Sequence, residues 1–228
     1  GMLLVVFEHG IGITAVEQRV ETAKDAGGAV FIEPSTVLPP TLTYLSKEIG
    51  CQDHFALVQT PGAVYGVDRS KNKIWMVKPM PVGMYMQEAV TVLSDQMMIS
   101  SWLIQNPVVN PRSGYDLANN EVIFATDNWT VCFSENINKF TSFYTMNNVD
   151  IFTRRNKEFY SFLGSQSYIH NTPNNYLLYE EDTDVVVEFV VNKGLAATKI
   201  IDYLNIVSNE VPPSKIEVYT YNQKVELE

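Results

Sequence analysis

Residues 63–77 read Ala63-Val64-Tyr65-Gly66-Val67, then Asp68-Arg69-Ser70-Lys71-Asn72-Lys73, then Ile74-Trp75-Met76-Val77. Two runs of aromatic and β-branched residues flank a polar stretch containing Asn. That is a strand, a turn and a returning strand, with a period of two rather than 3.6. The pattern recurs. Gly114-Tyr115-Asp116-Leu117 leads through Ala118-Asn119-Asn120 into Glu121-Val122-Ile123-Phe124-Ala125. Thr130-Val131-Cys132-Phe133 leads through Ser134-Glu135-Asn136-Ile137-Asn138-Lys139 into Phe140-Thr141-Ser142-Phe143-Tyr144. Asp150-Ile151-Phe152-Thr153 leads through Arg154-Arg155-Asn156-Lys157 into Glu158-Phe159-Tyr160-Ser161-Phe162. Asn suits such turns because its short side chain tolerates positive φ and bonds its own backbone.

These units predict an all-β chain, mainly an antiparallel meander, β-propeller-like or a partial propeller, with few short helices. The last two turns lie about 18 residues apart, a spacing that suits short strands, but the repeat is too degenerate to count blades. Asp184 to Val191, Lys199 to Val207 and Ser214 to Thr220 read as further strands, the last two parted by Val211-Pro212-Pro213. The best helical windows are Tyr44 to Glu48 and Gln87 to Leu93. The organisation expected is an N-terminal strand and hairpin segment over 1–50, β-meander repeats over 51–180, and closing strands over 181–228.

Outward from the strands, composition removes several functions. With 16 Lys and Arg against 26 Asp and Glu, the 228-residue chain carries a net charge of −10 and a pI of about 4.8. That disfavours a sequence-independent nucleic-acid binder, which needs a basic face against phosphates, and an anionic membrane surface for the same reason. At 46% hydrophobic and 18% charged, the chain has the composition of a globular protein with a sizeable core. No apolar run approaches the roughly 18 residues of a membrane-spanning helix. The opening Met2-Leu3-Leu4-Val5-Val6-Phe7 has no basic flank and is interrupted by Glu8 and His9, so it does not read as a signal peptide. Two cysteines, Cys51 and Cys132, are too few for a disulfide framework and suit a reducing compartment.

One motif points elsewhere. Gly10-Ile11-Gly12-Ile13-Thr14-Ala15 is a literal G-x-G-x-x-A, preceded by an apolar run and followed by helix formers from Ala15 to Ala26 and by Val30-Phe31-Ile32-Glu33. In a dinucleotide-binding unit such glycines admit a pyrophosphate at a helix N-terminus, and the acid holds a ribose. Glu8 and His9 sit where a buried parallel strand wants apolar residues, and the strand-rich remainder lacks further strand–helix pairs. The β reading makes Val20 to Thr22 and Ala29 to Ile32 the arms of a hairpin.

Other chemistry is sparse. Cys51-Gln52-Asp53-His54 has a C-x-x-H spacing, but no second ligand pair completes a tetrahedral site. Glu180, Glu181, Asp182 and Asp184 form an acidic run that reads as a solvated face rather than a glycosidase pair. Asn128-Trp129-Thr130 matches the glycosylation pattern but falls among strands. Trp75, Trp102, Trp129, Tyr144 and Tyr160 could floor a sugar-binding or partner-binding face, although in β-proteins such residues usually pack in cores and cross-strand pairs.

The segments Phe7-Glu8-His9-Gly10-Ile11-Gly12, Tyr65-Gly66-Val67-Asp68 with Lys73-Ile74-Trp75, Phe133-Ser134-Glu135 to Phe140-Thr141-Ser142-Phe143-Tyr144, Tyr168-Ile169-His170-Asn171 and Ala197 to Leu204 occur in an order that resembles structural proteins of crAss-like tailed phages and Bacteroidales prophages, of the stabilization, ring or tail type. The resemblance covers most of the chain. It implies a non-enzymatic virion component, an all-β propeller-like module in a connector, ring or tail, with no cofactor, metal or catalytic residues to carry over. It implies a location in the virion, or in the bacterial cytoplasm during assembly, and reads Gly10-x-Gly12 as a turn. Family members are longer, with sequence ahead of the position matching Leu3, so the chain is expected to correspond to a piece of the longer protein.

The partners expected are other virion structural proteins and further copies of the same chain, with neither nucleic acid nor membrane. The turns at Lys71 and Asn72, at Asn119 and Asn120, and at Asn136, Asn138 and Lys139 are the expected contact surfaces. A β-propeller-like carbohydrate-binding or adhesin module using the aromatics is the second reading. A dinucleotide enzyme using Gly10, Gly12 and Ala15 is the third.

Overall fold

The structure, a computed structural model, describes residues 2–15, 19–24, 30–34, 42–78, 90–95, 98–146, 148–172, 177–179, 181–182, 186–188, 215–219 and 224–227. The chain forms two compact units, Gly1–Asp184 and Val185–Glu228. All strand pairings described are antiparallel, and the fold is all-β with one short α-helix among the described residues.

Four sheets follow one another along the first unit. The first has the order β1 (Met2–Phe7), β2 (Gly10–Ala15), β5 (Thr43–Ser46), while β3 (Arg19–Lys24) and β4 (Val30–Pro34) make a separate hairpin. The second is the meander β6 (Leu57–Gln59), β7 (Val64–Asp68), β8 (Lys73–Val77), β9 (Val90–Val92). The third is β10 (Arg112–Asp116), β11 (Glu121–Ala125), β12 (Thr130–Ser134), β13 (Lys139–Tyr144). The fourth is β14 (Ile151–Arg155), β15 (Glu158–Leu163), β16 (Gln166–Ile169). A two-residue ladder joins β17 (Leu177–Leu178) to β18 (Glu181–Asp182). Helix α1 (Met98–Gln105) lies between the second and third sheets in sequence. The second unit contributes the hairpin β19 (Ile216–Tyr219) and β20 (Lys224–Leu227).

The sheets stack in series, with an apolar layer in each gap. Ile11 of the first sheet packs with Trp75 and Val77 of the second. The opposite face of the second sheet, Tyr65, Val67, Ile74 and Met76, meets Tyr115, Val122, Phe124 and Phe133 of the third. Ile123, Ala125 and Cys132, on the third sheet's other face, meet Phe152 and Phe159 of the fourth. The interior strands are therefore buried on both faces, which erases the alternation of a half-buried strand; β12 is buried along its whole length, whereas edge strand β13 alternates. Complete burial of side chains such as Trp75 or Phe133 contributes about 1.5–3 kcal/mol each. The first strands of the last three sheets are neighbours, β10 lying against both β6 and β14.

The turns are built from a repeated device. Val64–Val77 and Arg112–Ala125 correspond position by position at an offset of 48, which aligns Gly66 with Gly114, Asp68 with Asp116 and Asn72 with Asn120. Each Asp bonds forward into its own turn: Asp68 Oδ1 accepts Lys71 N–H at 3.1 Å, and Asp116 Oδ1 accepts Ala118 N–H at 2.9 Å. Each Asn closes its turn in the left-handed region, at φ 57° and 54°; Asn138 does the same at 55° and Asn156 at 57°. The turns at the other ends use threonine. Thr60 Oγ1 accepts Gly62 and Ala63 N–H, and Thr126 Oγ1 accepts Asn128 and Trp129 N–H.

Several expectations need correction. Gly10-x-Gly12 is not a turn: the β1–β2 turn is Glu8-His9, with Phe7 opposite Gly10. Both glycines lie in strand β2, where a dinucleotide fold requires a helix N-terminus, so the third reading fails. The β alternative for this region holds, since Val20 pairs with Glu33 and Glu21 with Ile32. Thr43–Ser46 is a strand, not a helix, because Gly12 and Ile13 supply a ladder for Tyr44 and Thr43. In the other helical window, Val90–Val92 is strand β9 and Leu93–Asp95 a 3-10 turn. Val186–Glu188 carries no strand; the rest of Asp184 to Val191, like Lys199 to Val207, lies outside the described residues.

Candidate interaction surface

The turn of the β7–β8 hairpin carries Lys71 exposed at its tip and Asn72 half-buried behind it. Asn72 faces inward: its Nδ2 donates to the Leu103 carbonyl and its Oδ1 accepts Val108 N–H at 2.7 Å, which pins the hairpin to the end of α1 and the chain beyond. In the β10–β11 turn, Asn119 is exposed and donates to Asp116 Oδ2 at 2.8 Å. Asn120 accepts the Tyr115 hydroxyl at 3.1 Å, and its carbonyl accepts Glu135 N–H at 3.0 Å. That last bond brings the β10–β11 turn against the β12–β13 turn, where Asn136, Asn138 and Lys139 are all exposed around Ile137. Thus Asn119, Asn120, Asn136, Asn138 and Lys139 share one end of the third sheet, while Lys71 and Asn72 occupy the equivalent end of the second.

Three carboxylates hold this architecture together. Asp68 is fully buried; besides Lys71 N–H it accepts Gly50 N–H at 2.9 Å, the Gln52 amide at 3.1 Å and the Ser70 hydroxyl at 2.6 Å. It thereby fastens the second sheet to the chain that leaves the first. Glu135 Oε1 accepts the hydroxyls of Thr60 at 2.7 Å and Tyr65 at 2.8 Å, bridging the third sheet to the second. Burial, reinforced by that carboxylate, pushes the Tyr65 phenol well above its ordinary range. Asp116, 4% exposed, receives side-chain amides from both Asn119 and Asn171 at 2.8 Å.

A cleft of about 300 Å³ opens beside Asp116 at the seam of the third and fourth sheets, with His170 in its wall. Tyr179 donates to Ser161 Oγ at 3.0 Å, and Ser161 Oγ lies 2.7 Å from His170 Nε2. Burial holds the His170 pKa below its ordinary value, with Asp116 pulling more weakly the other way. Asp68, Asp116, Glu135 and the Ser161–His170–Tyr179 chain are not among the site residues expected from sequence. The 48-residue recurrence of Gly-x-Asp followed by Asn is the signal that marks the first two.

The remaining candidates are structural. Cys51 Sγ bonds the Asp53 carbonyl at 3.1 Å, and His54 sits edge-on to Phe55 at 5.1 Å. No group of three or more His, Cys, Asp or Glu is gathered for a metal among the described residues. Cys132 is fully buried, and burial pushes its thiol far up. Trp75 and Trp129 lie in the core; Trp102 is half-buried against Trp129 and Phe143, so the tryptophans form no exposed platform. Asn128 belongs to the Thr126 turn. Of the acidic run, Glu181 and Asp182 are in β18, and the side chains lie outside the described residues.

Antiparallel meanders riveted sheet to sheet by polar side chains define a class, an all-β protein. Comparison with known proteins names which. The family model for the Crassvirus muzzle protein matches residues 1–164, and the chain belongs to that family of crAss-like phage structural proteins. The muzzle protein of Bacteroides phage crAss001 is 26% identical over 168 residues, covering 70% of this chain and 12% of the relative. The chain spans about an eighth of the length of that relative.

Proposed function

We propose that this chain serves as a non-enzymatic module of a crAss-like phage virion, in a connector, ring or tail assembly, and acts through protein–protein contacts. The observation that carries this reading is the family match, which covers the first three stacked sheets of the first unit and strands β14 and β15 of the fourth. The exposed turn residues Lys71, Asn119, Asn136, Asn138 and Lys139 are the contact points toward other virion proteins or further copies of the chain, with Asn72 and Asn120 holding those turns in shape. Rigid sheets present such loops at fixed positions, and closed symmetry makes one contact recur. The serial packing of β6, β10 and β14 supports a propeller-like arrangement of the meanders. On this reading 1–50 is an N-terminal segment, 51–180 the repeats and 181–228 the closing strands. The setting is the virion, or the bacterial cytoplasm during assembly.

Light scattering coupled to size exclusion, followed by electron microscopy of the peak, tests it. A defined high-order species that falls apart on Lys71→Glu together with Lys139→Glu supports the contact role. Assembly unchanged by those substitutions, with an unaltered unfolding midpoint, removes these turns from it.

A further inference from the structure

We propose that the cleft between the third and fourth sheets is a binding site for one neutral sugar ring. This goes beyond the assembly role and does not depend on it. The cleft, about 300 Å³, is at the small end of the range for ligand pockets, which suits a single ring rather than a chain. Its lining has two characters. Ile123, Met146 and Phe159 supply apolar surface, which a pyranose covers with its C–H face. Asp116, Asn119, His170, Asn171 and Thr172 supply polar groups on the remaining wall.

Those polar groups are held in place before any ligand arrives. The nearly buried Asp116 carboxylate fixes both carboxamides, accepting Asn119 Nδ2 and Asn171 Nδ2 at 2.8 Å each. Tyr179 donates to Ser161 Oγ, which in turn lies 2.7 Å from His170 Nε2. That bond engages Nε2 and leaves Nδ1 as the other ring nitrogen. Among the described residues, no protein hydrogen bond uses Asn119 Oδ1, His170 Nδ1 or the Thr172 hydroxyl. An amide oxygen, a ring nitrogen and a hydroxyl therefore remain on residues that line the cleft with apolar neighbours, a set that sugar hydroxyls, which both donate and accept, can pair with.

The lining also selects against other ligands. Among the described residues no Lys or Arg lines the cleft, and the Asp116 carboxylate repels phosphates and carboxylates. The one carboxylate among the described lining residues is too few for a hard divalent cation, which takes several oxygen ligands. A wholly apolar guest would leave the polar wall unpaired.

The test is a titration of the isotope-labelled chain with glucose, galactose, mannose, N-acetylglucosamine and fucose, each as the free sugar and as its methyl glycoside, read by amide chemical shifts. Saturable shifts at Asn119, His170, Asn171 and Thr172, with a Kd of about 1–10 mM for at least one sugar, are expected. Binding of the glycoside as well as the free sugar assigns the site to the end of a glycan; binding of the free sugar alone assigns it to a monosaccharide. Thr172→Val should weaken binding roughly tenfold with an unchanged unfolding midpoint because its side chain is exposed, whereas Asn119→Ala should weaken binding as much and also lower the midpoint, since it removes an amide bonded to Asp116. Two results overturn the proposal: no shifts at these amides with any of the sugars at about fivefold the upper expected Kd, or shifts of equal strength in both variants.

Discussion

Trp75 lies flat across Gly66, its partner on the neighbouring strand: a Cβ added at 66 would stand 2.2 Å from the indole Cζ2 and 2.8 Å from Leu57 Cδ2. The absent side chain lets the indole settle against β7, where its Nε1 donates to the Gly50 carbonyl at 2.8 Å and its ring joins the layer beneath Ile11. Gly114 does the same in the following repeat, with Phe152 Cβ 2.7 Å from where its Cβ would lie. Gly66→Ala should cost at least about 2 kcal/mol through overpacking. Urea unfolding would read this as a lower midpoint, and Trp75→Leu should relieve some of it, so that the double variant loses less than the two single losses combined.

The buried Asp68 carboxylate makes no ion pair among the described residues and is held by two backbone N–H groups and the side chains of Gln52 and Ser70. Asp68→Ala leaves those donors facing a void, at a cost of about 2–4 kcal/mol. Hydrogen exchange at Gly50 and Lys71 should quicken by more than the global loss alone requires. Exchange at both amides unchanged relative to the rest of the sheet would place their protection elsewhere.

The hairpins can be read from the sequence because each turn is local: Asn and Asp within four residues settle strand, turn and return. What escapes such a reading is mostly long-range. Tyr44 to Ser46 looks helical in isolation and is a strand because β2 offers it a ladder. Helix α1 is absent from the expected elements although its period is legible, for Ile99, Trp102 and Leu103 recur at helical spacing, and Ile99 and Leu103 are buried. The 48-residue recurrence is present in the letters, but strands buried on both faces lack the alternation that would draw attention to it. The cleft at Asp116 is not legible, since Asn119 and Asn171 meet only when the fourth sheet folds over the third.

Asn72 and Asn138 have almost the same φ, 57° and 55°, in equivalent turns, yet their side chains differ in duty. Asn138 is exposed, whereas Asn72 bonds both Leu103 and Val108. Glycine accepts positive φ without steric cost. Asn138→Gly should therefore change stability by no more than about 0.5 kcal/mol, while Asn72→Gly should lose about 1–3 kcal/mol through unpaired groups. Equal losses at the two sites in thermal or urea unfolding would mean that the backbone conformation alone, and not the hydrogen bonds, decides what Asn contributes here.

Burial disfavours the charged form of His170, whose Nε2 lies 2.7 Å from Ser161 Oγ, so its folded pKa lies below the unfolded value of 6.5. Above pH 6.5 the imidazole is neutral in both states and its hydrogen bond contributes fully. As pH falls below 6.5 the unfolded chain takes up the proton first, and stability declines with a slope no steeper than one proton, about 1.4 kcal/mol per pH unit. The decline from this residue ends once the pH has dropped past the folded pKa, where both states are protonated. His170→Asn lacks the titrating group, so the difference in unfolding free energy between the original chain and the variant should shrink as the pH is lowered from 7.5 to 5. Other titrating groups cancel in that difference. A difference independent of pH over this range would mean that His170 is as readily protonated in the folded protein as in the unfolded one, contrary to the burial that disfavours its charged form.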